Sequence, residues 1–439
     1  MSEELAEHAP DRDLPLHRNT EYRRWLLGDL LQDIGTGIGA FAFPLITLLV
    51  TDSLAATGAV AFVQGLGALV GMIPGGVLAD RVERRRLRLL TAATAVLLQL
   101  ALVLVLATGT AGAVVLGVLA FADRLRDTLL GTASNAMLKQ IVPTAQLPRA
   151  VAVNQGREAA VEMGSGPAGG ALLGLSILFP PLAQLLGAVG SLLATWSMAG
   201  RYPPRAQATS ASVVEDLREA LVWIRSQPIR LQMAAIASAV NLGANGLLFA
   251  VLLMLADDGV PATRIGLLNS VLAGAILLGA VLAPRLVDRV PTGVLAIAPV
   301  LLMAAVGAAL PFAPSLVWIG ACYALLGIGL PAINSSTQGF FTHLTPIAMQ
   351  GRIGSLMRLL TLGLMPLAPA AAGWGLDLVG PLPTMLGFAA VLVLGALAGL
   401  LGRDLRRVPT APHWVRFARE EGLAAEEETV PENATAAEG

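Results

Sequence analysis

Residues 56–88 read ATGAVAFVQGLGALVGMIPGGVLADRVERRRLR, an uncharged run from 56 to 79 that breaks into a basic cluster at Arg81, Arg84, Arg85, Arg86 and Arg88. At a helical rise of about 1.5 Å per residue, the run is long enough to cross a hydrocarbon core of roughly 30 Å. Its abrupt end in arginine puts that end at an aqueous surface. Similar apolar runs lie on either side, near 25–49, 87–107, 111–139, 149–175 and 178–199, and again near 229–255, 264–284, 292–310, 314–341, 348–374 and 381–402. The 439 residues are 55% hydrophobic and 13% charged, with a mean hydropathy of +0.71, which excludes a water-soluble globule. The expected fold is all-α, with twelve transmembrane helices in two six-helix bundles.

Arginine placement sets the expected orientation, because basic loops stay cytoplasmic. Arg18, Arg23 and Arg24 precede span 1, Lys139 and Arg149 flank the 4–5 turn, Arg285 and Arg289 the 8–9 turn, Arg352 the 10–11 turn and Arg403 to Arg407 the tail, whereas the alternate turns hold only Arg264. Both termini are therefore expected in the cytoplasm. The predicted organisation is an N-terminal tail at 1–23, a first bundle at 24–200, a linker with an amphipathic helix at 201–228, a second bundle at 229–402 and a disordered, acidic tail at 403–439. No cleavable signal peptide is expected ahead of span 1.

The formal charge of -1 and the lack of basic patches with interleaved aromatics argue against a nucleic-acid partner. Cys322 is the only cysteine, so a disulfide within the chain and a cysteine-based metal site are excluded. No phosphate-binding loop, dinucleotide fingerprint or HExxH pattern occurs, so neither an enzyme nor a cofactor or metal is expected. Arginine far outnumbers lysine, which suggests a GC-rich bacterial genome and hence a bacterial inner membrane.

The two halves repeat at a displacement of 203 to 204 residues. Val142-Pro143 with Arg149 is matched by Thr345-Pro346 with Arg352, and Val77-Leu78-Ala79-Asp80-Arg81 by Val281-Leu282-Ala283-Pro284-Arg285. A parallel repeat of this kind is a transporter architecture, with the substrate site between the halves. The interiors of spans 3, 6, 9 and 12 carry no acid or base, whereas spans 1, 4 and 5 carry several. An ion at the bilayer centre costs about 2.5–3.5 kcal/mol on insertion scales, so the charged spans must face protein or water.

The chain resembles the major facilitator superfamily over positions 20 to 405. The stretch from Gly76 to Arg85 is similar to the family's loop 2–3 signature, with Glu83 where the family usually has glycine, and Gly166-Pro167-Ala168-Gly169-Gly170 resembles the exporters' span-5 motif. Tyr22-Arg23-Arg24-Trp25-Leu26, Pro44-Leu45, Asp216 to Leu221 and Gly351-Arg352 resemble the bacterial secretion-effector and enterobactin-exporter branch of drug:proton antiporters. The resemblance implies two domains rocking about a cavity lined chiefly by spans 1, 4, 7 and 10.

Three groups of candidate residues follow. Six acids and three arginines lie inside spans 1, 4 and 5, and Asp29/Asp33, Asp123/Asp127 and Glu158/Glu162 each share a helix face at four-residue spacing. Asp33, Asp123, Asp127, Glu158 and Glu162, with Arg124, Arg126 and Arg157 as counter-charges, are candidates for proton coupling; the alternative is a structural ion-pair network or, for Asp29 and Glu158, solvated span ends. Asp80 at the end of span 2, facing the start of span 11 near Gln350, suggests a cytoplasmic gate of Gly76, Asp80, Arg81, Arg84, Arg85 and Arg352, against the alternative that the arginines only set topology. In the second half Asn241, Asn245, Asn334, Gln338 and Arg358 are candidates for the substrate cavity, and could equally bridge helices. Gly67, Gly71 and Gly75 offer a close helix approach, static or sliding.

The leading expectation is proton-driven efflux of a lipophilic small molecule, such as a drug, siderophore or secondary metabolite, by a monomer in the lipid bilayer. Uptake by proton symport and a non-transporting sensor or scaffold are the alternatives.

Overall fold

The structure is a computed structural model and describes residues 14–131, 133–200, 202–203, 218, 221–345, 353–354, 356–357, 359 and 362–421, without the side chains of 73, 77, 79, 80, 133, 135, 136 and 403. Every regular element among them is a helix. The first half contains α1 (Thr20–Thr51), α2 (Leu54–Arg81), α3 (Arg84–Ala107), α4 (Ala113–Leu130), α5 (Ala133–Ile141), α6 (Leu147–Leu175) and α7 (Phe179–Trp196). The second contains α8 (Pro228–Asp257), α9 (Ala262–Arg289), α10 (Thr292–Ala309), α11 (Leu316–Leu344), α12 (Leu367–Val379) and α13 (Pro381–Leu401), followed by a short α14 (Trp414–Glu420). Span 4, expected as one run, is α4 and α5 together, so from α6 to α13 each span's number is one less than its helix label.

Local chemistry sets the ends. The Asn19 side chain accepts from the Tyr22 amide at 2.9 Å and caps α1, and Ser53 caps α2 through the Ala56 amide at 3.1 Å. Between those two helices only Asp52 and Ser53 remain; Asp52 turns the chain with φ 48°, a left-handed conformation its short polar side chain tolerates. Among the described residues, eight helices are long and apolar enough to cross a membrane. α4 and α6 carry the charges considered below. Leu97, Leu104, Val118, Leu186, Val281 and Leu394 expose more than half their surface, an outer face that suits lipid rather than water.

The same packing plan is used twice. Span 1 packs on spans 5 and 6, 2 on 4, and 3 on 6; in the second half span 7 packs on 11 and 12, 8 on 10, and 9 on 12. Adding six to each number converts one set into the other. The seam between halves obeys the same rule, since span 2 crosses span 11 and span 5 crosses span 8. The sequence repeat is therefore a structural one, and the fold is two pseudo-symmetric six-helix bundles.

Glycines let the seam close. A Cβ on Gly58 of α2 would lie 2.6 Å from the Pro369 carbonyl oxygen of α12, and one on Gly166 of α6 would lie 2.7 Å from the Gly266 carbonyl oxygen of α9. Ser270 donates to the Met163 carbonyl at 2.6 Å across the same crossing. These contacts all fall in the helix halves remote from the chain termini. Gly67, Gly71 and Gly75 have a different use: they face Phe121, Leu125 and Thr128 of α4 inside the first bundle, so that stripe is packing within one half.

The tail departs from the expectation. Val408 and Pro409 supply carbonyls to the Gly293 and Thr292 amides, Trp414 donates to the Thr292 hydroxyl at 2.9 Å, and its ring stacks near Phe340 of α11. Residues 403–421 are thus anchored, because Leu405, Val408 and Ala418 are buried beside two aromatics the compositional reading passed over. Residues 422–439 lie outside the described residues, as does most of the predicted linker helix; of the latter, Ile224 is buried against the second bundle.

Candidate functional site

The halves enclose between them a cavity of about 950 Å³. The first half contributes Asp33 from α1, Arg124 from α4, and Glu158 and Glu162 from α6; the second contributes Asn245 and Phe249 from α8 and Asn269 and Leu272 from α9. Asp33 and Glu158 keep 36% and 51% of their side-chain surface exposed, so both carboxylates reach the cavity.

Behind that wall the charges are paired in two networks. In the first, Arg157 of α6 lies 2.8 Å from Asp33, 3.6 Å from Asp29 and 3.7 Å from Glu158. Asp29 is held from its other side by Arg88 of α3 at 2.7 Å. The Ser134 hydroxyl on α5 completes it, donating to Asp29 at 2.6 Å while accepting from Arg88 at 2.6 Å and from the Trp25 indole at 3.0 Å. One hydroxyl thus ties spans 1, 3 and 4 with its full hydrogen-bonding capacity. In the second network Arg126 is buried on α4 and binds Asp123 at 3.0 Å and the Thr91 carbonyl at 3.2 Å, with Asp127 3.9 Å away. Arg124 reaches Asp127 at 3.4 Å.

The sequence analysis missed Arg88. Read as a topology signal, it lies one turn into α3, is 6% exposed and faces Asp29. Adding it to the three arginines already counted reduces the excess of six acids from three to two. Asp123 and Asp127 do not line the central cavity; they face a smaller chamber inside the first bundle.

The gate residues sort differently from expectation. Arg85 donates to the Trp196 carbonyl at 2.9 Å and caps the C-terminal end of α7 within its own half, where the helix dipole favours a cation. Arg84 is buried, its amide bonded to the Tyr202 carbonyl at 3.0 Å, and Arg86 pairs with Glu83. Arg81 and Gly76 are exposed. The Asp80 side chain, Gln350, Arg352 and Arg358 lie outside the described residues.

Of the second half's amides, Asn245 lines the cavity, with its side-chain nitrogen donating to the Asn241 carbonyl. Asn241 bonds back to Ala237, and Asn334 and Gln338 are exposed on α11 rather than in the cavity wall. Asn269 takes a place there that no sequence signal assigned.

This arrangement of paired helical bundles is shared. The sequence matches the Major Facilitator Superfamily over residues 26–361. The chain belongs to the major facilitator superfamily. Its superfamily fold is similar to that of the nucleoside transporter NupG (14% identity, 87% of this chain and 98% of that one, TM-score 0.68). It is also similar to a bacterial homologue of the iron transporter ferroportin in an inward-facing state (18%, 87% and 98%, TM-score 0.68). A bacterial homologue of the lysosomal transporter Spinster is a third (17%, 89% and 97%, TM-score 0.65). No curated protein matches the sequence. As a superfamily member the protein is a multi-pass membrane transporter of small substrates rather than an enzyme.

Proposed function

We propose that the protein is a proton-coupled exporter of a lipophilic small molecule, acting as a monomer in a bacterial inner membrane with both termini cytoplasmic. The observation that carries this reading is the polarity of the cavity. Its first-half wall holds Asp33, Glu158 and Glu162, while its second-half wall holds Asn245, Asn269, Phe249, Leu252 and Leu272. Apolar surface with a few amides suits a lipophilic cargo that needs orientation rather than charge neutralisation. Ionisable groups in a membrane interior mark ion and proton pathways, and these acids reach water through the cavity.

In the cycle so proposed, cargo enters from the cytoplasm as the acidic wall releases protons there. The seam at the far side then opens as the near side shuts, and protons arriving from outside displace the cargo. The latch for the near side is assigned to Gly76, Asp80 and Arg81 at the end of span 2 and Arg352 before span 11. Arg85 is already engaged within the first half, and Arg84 is buried.

Everted membrane vesicles test the direction. An imposed inward-acid gradient should drive a lipophilic probe dye into vesicles carrying the protein, and Asp33→Asn should slow this by about a hundredfold or more, within the range attributed to a positioned proton-transfer group. Gradient-driven depletion of the vesicle lumen would replace export with uptake, and unaltered proton dependence in both Asp33→Asn and Asp123→Asn would remove the coupling assignment.

A further inference from the structure

The chamber inside the first bundle has no part in the cycle above. It is lined by Gln99 of α3, Asp123 and Asp127 of α4, Gln184 of α7, and Thr36 and Gln64, and has a volume of about 60 Å³. Thr36, Ala40, Gln64 and Arg124 also line the central cavity, so the two spaces share a wall and Thr36 and Gln64 stand at the junction. Gln99 is only 4% exposed, and its Oε1 is buried without a hydrogen-bond partner. An acceptor in that position loses about 1–3 kcal/mol unless a donor reaches it. The space is polar and large enough for several water molecules, each needing two to four partners, and Gln99, Gln184 and the two carboxylates provide them.

Charge balance favours water over a bound metal cation. The charged groups acting on Asp123 are Arg126, Asp127 and Arg124, all on α4. The facing helices α1, α2, α3 and α7 present only the neutral Thr36, Gln64, Gln99 and Gln184. Two acids and two arginines sum to zero, so the chamber holds no net negative charge for a metal ion.

We propose that this chamber is a hydrated side route through which protons from the central cavity reach Asp123, with Gln99 and Gln184 ordering its water. The proton arrives on a hydronium at the Thr36–Gln64 junction and passes along the chamber water. An O–H bond of the last hydronium breaks as one forms to an Asp123 carboxylate oxygen, leaving water behind and loosening the hold of Arg126. The inference rests on the proton-coupling reading above but concerns only how Asp123 exchanges its proton.

The test needs no cargo. Dicyclohexylcarbodiimide, which modifies protonated carboxyls, is applied to the reconstituted full chain over a pH series, and adducts at Asp123 and Glu158 are quantified by mass spectrometry. Wild-type protein should label at Asp123, with the yield falling as pH rises. Gln99→Leu should cut Asp123 labelling by about tenfold, the factor equivalent to one lost hydrogen bond to chamber water. Labelling at Glu158, which opens directly on the central cavity, should not change and so verifies the fold, while Gln99→Asn should restore most of the Asp123 yield. Equal Asp123 labelling in wild type, Gln99→Leu and Gln184→Leu would overturn the side route, as would no Asp123 labelling at any pH. Failure of the coupling reading looks different: cargo flux in wild-type vesicles would then ignore the proton gradient whatever the labelling pattern.

Discussion

Ser134 spends its one proton on Asp29 and both lone pairs on Arg88 and Trp25. Ser134→Ala removes a donor from one buried carboxylate and an acceptor from two donors, and should destabilise the protein by about 1–3 kcal/mol, read as a lower melting temperature in detergent. A comparable clasp lies outside the spans. Glu21 is 4% exposed and accepts from the Tyr202 hydroxyl at 2.7 Å and the Ala199 amide at 3.0 Å, which fastens the segment after α7 to the start of α1. Burial first, and then the Glu21 carboxylate beside it, push the Tyr202 hydroxyl far above the ordinary phenol range. A raised pKa means that the clasp is fully present below the free-phenol value near 10 and is lost only above it. Tyr202→Phe should therefore lower stability by about 1 kcal/mol, and by the same amount throughout the neutral range, because the hydroxyl it removes is protonated there. At this scale the acids were legible because a charge stands out in an apolar helix. Partners one turn away were legible too, as Arg126 is for Asp123, but Arg88 and Ser134 were not, since both are far from Asp29 in sequence and only the register between spans brings them together.

Among the elements, the crossing of α6 with α9 depends on two facing glycines, Gly166 and Gly266. Gly166→Leu should cost about 1–3 kcal/mol through overpacking and force the crossing apart, so that gradient-driven transport falls while membrane insertion, measured by yield in the membrane fraction, does not. The short α14 offers a second case. Trp414→Ala removes the indole from Thr292 and the ring from beside Phe340, and limited proteolysis should then cleave the segment after Val408 faster than in wild type. The tail was misread because its average composition is polar, whereas its attachment depends on a few apolar side chains at the right spacing. The amides of span 10 posed a related difficulty: the polar run from Asn334 to Gln338 goes all the way round the helix and gives no sign of which face turns inward.

For the whole molecule, the two seams act as a pair. If forcing α6 from α9 opens the far side, the near side must close, and spin labels on the exposed Val153 and Val281 should report a shorter separation in Gly166→Leu than in wild type. The architecture was the most legible layer, because span length, arginine placement and the 203-residue echo each report on a global property. The asymmetry in chemistry was legible too, since the acids that line the central cavity, Asp33, Glu158 and Glu162, lie in spans 1 and 5. What one sequence could not supply was the inner chamber, which exists only where five helices meet.

One packing plan executed twice, with the cavity-lining acids among the described residues kept in a single copy, has an evolutionary corollary. On the proposed coupling, the second copy is free to drift in the surface it offers to cargo without retuning the acids of the first. Selection for growth on unfamiliar toxins should therefore enrich substitutions around Asn245, Phe249, Leu252 and Asn269, and leave the arginine-bound acids of the first copy untouched.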